Sequence, residues 1–346
     1  MKSTAFTDHS SKKAKRQKPF LITSFWFSRG FRSGSLQVIV LGLILGVIAF
    51  FISNVQDSLA KQGIKTGFDF LSQESGFEFA QSLIAFSSLD TISKAYLVAV
   101  LNTLKVFFFA VVLSTLLGLL IGLARLSENH LLSKGGGLYV EIFRNTPQLV
   151  IIIFLYTLIL QLPGPREAFS IADTFFLSNR GLVVPWFSAD NFFALEIPSL
   201  SGLNFSGGYQ MSPEFLALWA GLSLYISAFI AEIVRAGVQS VKQGQLEAAK
   251  CIGLSKFHIN RYIVFPQALR VMIPAASIQY ISILKNSSLG VAVGYPELFS
   301  INNTIVTLSG QAVEAIAIMM SLYLVLSLFI SLVMNFFNNR VQIKER

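Results

Sequence analysis

The polar residues of this sequence are few, and their spacing limits the chemistry open to them. Three histidines, His9, His130 and His258, are scattered, and no pair has metal-ligand spacing, so no metal is expected. The single cysteine, Cys251, excludes an intrachain disulfide and reads as a small loop residue. The sequence has no phosphate loop of the form Gly, four residues, Gly-Lys-Ser/Thr, and no nucleophile with an acid–base partner. Catalysis, including ATP hydrolysis, is therefore not expected of this chain. What remains is charge set in apolar surroundings. Glu141 and Arg144 are three apart, as are Glu232 and Arg235, so each pair shares a helix face and can form an ion pair. Asn145 and Pro147 follow the first pair, and Pro147 can kink a helix there. Gln279, Ser282, Lys285, Asn286, Ser287 and Ser288 form a polar cluster toward the far end of an apolar run. Such groups are costly in lipid and face a bundle interior or a helix end.

The elements that must position these residues are apolar. Hydrophobic residues make up 53% of the 346 and charged residues 13%, with a mean hydropathy of +0.63. A soluble domain carries about 25% charged residues. The net charge of +9 suits orientation in a bilayer, and the long apolar runs argue against nucleic-acid binding. Six candidate spans run over 36–52, 96–124, 139–160, 215–234, 268–289 and 313–337. Lengths near the ~20 residues that cross a bilayer, and their continuity, predict helices rather than barrel strands. The first run follows Lys12, Lys13, Lys15, Arg16 and Lys18, and is too long for a cleaved signal peptide.

Lys and Arg in the short flanks orient the spans. The basic N-terminal tail, the 125–134 turn, the segment after Arg235 and the C-terminal Arg340, Lys344 and Arg346 fall on the cytoplasmic side. The expected organisation is a basic cytoplasmic tail 1–35, an extra first transmembrane helix 36–53 and an external segment 54–95. A helical core 96–338 follows, with an external insert 161–213 and a cytoplasmic loop 236–266, and then a cytoplasmic tail 339–346. The fold class is all-α integral membrane with both termini inside. The aromatic-rich insert is read as holding an interfacial helix or a short re-entrant piece. Lys105 is read as snorkelling outward. Ser114, Gly118 and Gly122, spaced by four, suit close helix packing, as do Gly42 and Gly46.

The segment 235–267 carries the most information. It interrupts two apolar runs and is amphipathic, with Leu246, Ala249 and Cys251–Ile252 expected on one side and Lys242, Gln245 and Lys256 on the other. Gly253 fits a helix stop and Pro266 a helix start. The arrangement Glu247-Ala248-Ala249, three residues, Gly253, then Ile263-Val264-Phe265-Pro266 resembles the docking loop of permease subunits in ATP-binding-cassette importers. Phe265 stands where that family more often has Leu. The stretch 140–149, the lead-in 231–237 and the stretch 284–289 resemble polar amino-acid permeases more narrowly. Asn286 replaces the usual Asp of that last stretch. The likeness covers roughly 97–338, and the extra first span and long outer segments look like the general amino-acid branch.

The resemblance implies a type I importer bundle of six helices in the plasma (inner) membrane of a bacterial-type cell. Glu247, Ala248, Ala249, Gly253, Ile263 and Pro266 would form a coupling helix seated in a groove of an ATPase subunit. ATP and magnesium would be held by that subunit, with no cofactor on this chain. Further implied partners are a second, related but non-identical permease, an extracellular amino-acid-binding protein and membrane lipid, with no nucleic acid. Glu141, Arg144, Asn145, Pro147, Glu232 and Arg235 are structural or gating candidates. Gln279, Ser282, Lys285, Asn286, Ser287 and Ser288 are substrate-path candidates, where a polar cap at the helix end is the other reading. Two alternatives stand beside this function: an importer permease for another small solute, and an ion-coupled secondary transporter acting alone. The 141–149 and 284–289 stretches argue against the first. The lack of a repeat or an intramembrane acidic pair argues against the second.

Overall fold

A computed structural model describes residues 29–341 except 62, 64, 65, 80, 188–194 and 203. The expected tails 1–28 and 342–346 lie outside the described residues. The chain divides into two compact units, Met1–Thr66 and Gly67–Arg346. Among the described residues, the first holds one helix, α1, Arg29–Lys61. Its stretch Gly34–Val55 has a mean hydropathy of 2.7 and the length to cross a bilayer.

The second unit is helical around one central element. Its helices are α2 (Ile92–Arg125), α3 (His130–Asn145), α4 (Gln148–Leu160), α5 (Pro213–Gln239), α6 (Gln243–Cys251) and α7 (Lys256–Ile259). α8 (Phe265–Asn286), α9 (Leu298–Ser309) and α10 (Ala312–Val341) complete it. In the most apolar stretch of α5, 61% of residues are buried, against 6% in α10, so α5 is the core helix and α10 a peripheral one. The reason lies in the small residues. Gly118 and Gly122 of α2 face Ile230 and Val234 of α5, and a Cβ on Gly122 would lie 2.8 Å from the carbonyl oxygen of Ala231. The four-residue spacing thus packs α2 on α5 within this chain.

Starts and stops follow local chemistry. Thr91 caps α2 by accepting from the Lys94 amide, and Ser212 caps α5 by accepting from the Phe215 amide, with Pro213 in the first turn. Pro147 divides the expected third span. Thr146 is extended before it, and α3 and α4 meet at 102°, because proline disfavours a helical predecessor. The expected single helix over 139–160 is therefore two. Among the described residues, four helices are long and apolar enough to cross a bilayer, or five if α3 and α4 count as one broken span. α8 is not among them, since Arg270, Gln279, Lys285 and Asn286 interrupt it and Pro274 lies inside it.

The insert departs from the all-helical expectation. Its strands are β1 (Phe169–Ile171), β2 (Phe175–Ser178), β3 (Gly181–Val184), β4 (Trp186–Phe187), β5 (Leu195–Glu196), β6 (Ser199–Ser201), β7 (Asn204–Ser206) and β8 (Tyr209–Met211). β1, β2, β3 and β8 form one antiparallel sheet in that order, while β4–β5 and β6–β7 are separate pairs. No helix of four turns and no re-entrant piece occupies it among the described residues; only a short 3-10 turn, Pro165–Glu167, precedes the sheet. The reason is the brevity of its apolar runs, which are cut every few residues by turn formers such as Asp173, Asn179 and Gly181. Gly181 has φ +102°, and a Cβ there would strike the Met211 carbonyl oxygen at 2.0 Å. Leu177, Leu182 and Val184 pack the sheet onto the α2–α5 core.

Candidate functional site

The 240–267 loop folds as its sequence pattern requires. α6 ends in a reciprocal pair of backbone bonds: the Leu254 amide donates to Ala249 at 3.1 Å and the Gly253 amide to Lys250 at 3.0 Å. Gly253 has φ +80°, the left-handed geometry that such a stop needs. Ser255 then caps α7, which passes through a wider turn, Asn260–Val264, into α8 with Pro266 in its first turn. Gln267 ties the two ends of the loop together. Its amide donates to Gln245 on α6 at 2.9 Å and to the Ile263 carbonyl at 3.0 Å. Sequence patterns alone missed this tie, because glutamine is common in loops and the pair is far apart in the chain.

One face of α6 is buried and the other open. Ala249 is buried and Leu246 half-buried, while Glu247 and Ala248 are exposed. Cys251 and Ile252 are exposed as well, which corrects the expectation that they share a side with buried Ala249; Cys251 is the last residue of α6, and the chain turns at Gly253. Ile263 and Pro266 are half-buried behind the open face. Ala248, Ala249, Ile252, Tyr262 and Ile263 line a shallow cavity of about 410 Å³. On the far side, a larger cavity of about 1030 Å³ separates α6 from the ends of α2, α5 and α8. It is lined by apolar groups such as Leu123, Val238, Leu246 and Met272, with Lys250, Lys256 and Glu128 also on its wall.

Beside the loop lies a charged triad. Glu232 accepts from Arg235 one turn on and also from Arg125 at the end of α2. The three-residue pair was legible; the second arginine, 107 positions away, was not. Two guanidinium groups on one carboxylate join the ends of α2 and α5. The other expected pair does not form. Glu141 has no ion pair among the described residues, and Arg144 instead stacks over the ring of Phe229 at 5.0 Å. A neighbouring aromatic face competes for the guanidinium, which sequence spacing cannot register. Glu141, Arg144 and Asn145 line a cavity of about 480 Å³ with Arg125 and Glu232.

The 279–288 cluster is divided by the structure. Ser282, Ser287 and Ser288 donate to carbonyls of their own turn, those of Ile278, Leu284 and Lys285, at 2.7–2.9 Å. Ser287 is fully buried, Lys285 is exposed, and Gln279 is half-buried. Asn286 donates to Gln148 at 2.7 Å, which anchors the end of α8 to the start of α4 just past the Pro147 break. Lys105 is half-buried. Its ammonium lies over Phe215 at 4.2 Å and Tyr209 at 5.2 Å from the ring centres.

A core helix pair, a broken helix, a capped loop helix tied back to the next helix and a β insert, with helices long and apolar enough to cross a bilayer, characterise the described residues. Residues 114–343 match the family of binding-protein-dependent transport system inner membrane components, and the chain belongs to that family. It is 39% identical to the putative amino-acid ABC transporter permease protein YhdX of Escherichia coli K12, over 91% of this chain and 95% of that one. It is 36% identical to the general L-amino acid transport system permease protein AapQ of Rhizobium johnstonii, over 91% and 94%. Among solved structures, an amino acid ABC transporter crystallised with histidines aligns over 72% of this chain and 94% of its own, at 26% identity and a TM-score of 0.54. The inward-facing MetNI methionine transporter aligns at 18% identity and a TM-score of 0.52, over 73% and 98%, which shows the shared fold.

Proposed function

We propose that this chain is a transmembrane subunit of an ATP-driven importer of amino acids. It pairs with a second, related but non-identical permease to enclose the path, in the bacterial inner membrane, with six spans and both termini cytoplasmic. ATPase subunits holding ATP and magnesium grip the loop through Glu247, Ala248, Ala249, Gly253, Ile263 and Pro266. An extracellular amino-acid-binding protein delivers the solute to the opposite side.

The observation that carries this reading is the tie from Gln267 to Gln245. It makes α6 and the start of α8 one body, so a push on α6 reaches a helix that runs through the core. The Arg125–Glu232–Arg235 triad joins α2 and α5 beside it, so both helices would move together when two such loops approach. Glu141, Arg144, Asn145 and Pro147 sit at a 102° break, a geometry that suits a gate. Lys285 and Gln279, whose side chains are not tied to their own helix among the described residues, are the strongest substrate-path candidates of their cluster.

The test is purification of the chain from its host, identification of the proteins that come with it, and ATP-dependent uptake of a panel of amino acids by the reconstituted complex. Co-purification of an ATPase with amino-acid uptake is the expected result. Transport without any ATPase would sink this reading, and uptake of another solute alone would remove the amino-acid assignment.

A further inference from the structure

Lys105 is a cation without a counter-ion among the described residues. No carboxylate lies within 4.0 Å of its ammonium among the described residues, and its stem is sunk between α2 and the start of α5. Aromatic faces of Phe215 and Tyr209 hold it from the side. A half-buried charge of this kind is costly unless a partner compensates it. The ammonium opens into a pocket of about 420 Å³, lined by Gln81, Ser82, Asn102, Tyr209, Gln210 and Ser212. These are amides and hydroxyls from three separate stretches, with no acidic residue among them. Gln81 has its side-chain oxygen buried without a hydrogen-bond partner, and an amide can turn end for end to offer its donors instead.

The pocket is built rather than incidental. Asn102 is buried and donates to the Gln81 carbonyl at 3.1 Å and the Pro296 carbonyl at 2.9 Å, which fixes the 81–82 stretch to α2. Gln210 donates to the Arg180 carbonyl at 3.2 Å, and Ser212 caps α5. Lys105 and Arg125 stand on one helix about 30 Å apart, the thickness of the hydrocarbon core. With Arg125 at the cytoplasmic boundary, Lys105 stands at the outer one, beside the 81–82 and 209–212 stretches.

We propose that this pocket seats an acidic side chain of the solute-binding protein, so that Lys105 forms an ion pair across the docked interface. The proposal rests on the importer reading above. A cation ringed by amides and hydroxyls, with no carboxylate on the wall to pair with an ammonium, fits an isolated carboxylate better than a zwitterionic amino acid.

The test uses the full complex reconstituted in liposomes and supplied with its binding protein. The readout is the binding-protein concentration that gives half-maximal amino-acid uptake. Lys105→Met is expected to raise that concentration about tenfold, the loss of one close ion pair, with Lys105→Glu raising it further and Lys105→Arg staying close to wild type. Added salt should weaken wild-type docking and leave the Met variant nearly flat. Equal half-saturation in wild type and Lys105→Met overturns the proposal. So does a variant whose dependence shifts with free amino-acid concentration at saturating binding protein, which assigns the pocket to substrate. Should Lys105→Met not assemble, crosslinking from Ser82→Cys to the binding protein decides: a crosslink supports the proposal and its absence overturns it. A wild-type complex that imports no amino acid fails the importer reading instead.

Discussion

At the Arg125 end, α2 and α5 close on each other through glycine and a charged triad; from the middle of α2 toward the start of α5, aromatic rings line their contact. Gly122 brings the α2 backbone against Val234 and the Ala231 carbonyl. Two turns or more toward the other end, Phe109 stacks edge-on to Phe215 and Trp219, and Tyr295 leans on Phe215. Backbone against backbone has no rotamer to yield, whereas aromatic side chains can re-pack around a cavity. One end is therefore suited to pass on a displacement and the other to adapt to a visitor. The loop that would receive force from an ATPase adjoins the rigid end, and the Lys105 pocket adjoins the adaptable one.

The strongest way to break this contrast is to crowd the rigid end. Gly122→Val places side-chain carbons where Val234 and a carbonyl already stand, and should cost about 3 kcal/mol, at the upper end of overpacking penalties. Loss of the monodisperse peak in fluorescence-detected size exclusion, with a lowered melting point in any remainder, is expected. Phe109→Leu at the other end should cost less than about 1.5 kcal/mol, as volume-tolerant swaps do. Equal losses would erase the distinction.

Removing the triad's centre is the next largest effect. Glu232→Ala leaves Arg125 and Arg235 facing each other without their carboxylate, and should cost on the order of 2 kcal/mol, between a surface pair and a buried one. Arg125→Ala with Glu232→Ala should restore part of the melting point, since the double variant removes the repulsion. A double variant as unstable as the sum of the singles would show that the triad is not one unit.

Gly253→Val tests the loop by itself. Nothing lies within 4 Å of the added Cβ, so the expected cost of about 1–2 kcal/mol is wholly the left-handed backbone. α6 should lose its stop and the ATPase should co-purify several-fold less, while the melting point of the core barely moves. Gly253→Asn, which tolerates that backbone, should fall between. Matching behaviour of Val and Asn would mean that the loop does not hold this conformation when docked.

These three experiments also mark what the sequence made legible. Gly253, Pro266, the Glu232–Arg235 spacing and the glycines of α2 are local signals, each readable from neighbours along the chain, and each appears where its chemistry requires. The Arg125–Glu232, Gln267–Gln245 and Asn286–Gln148 contacts join residues whose closeness exists only after folding. The Glu141–Arg144 pair was misread for the same reason, because Phe229 competes from another helix. The β insert was misread because aromatic clusters near a membrane suggest an interfacial helix, although its runs are too short and too interrupted for one.

The smallest predicted effect lies at the adaptable end and depends on pH. Glu297 is fully buried and caps α9, accepting from the amides of Phe299 at 2.8 Å and Ser300 at 2.7 Å and from the Tyr323 hydroxyl at 2.9 Å. It lies between the spans, and burial pushes its carboxyl up to about 7 despite those three donors. The native state then holds the proton more tightly than the unfolded chain, so the associated stability is complete below the ordinary value of 4.5 and is lost as pH rises toward 7. Glu297→Gln keeps one acceptor and never ionises. At pH 5 it should be less stable than wild type by about 1 kcal/mol, the worth of a lost cap bond, and the gap should narrow by pH 8 as the wild type takes on a buried charge. Melting of the purified complex at both pH values, wild type against variant, measures the gap. A gap of constant size would mean that the capped carboxylate is already charged at pH 5, and that this end owes none of its stability to a buried proton.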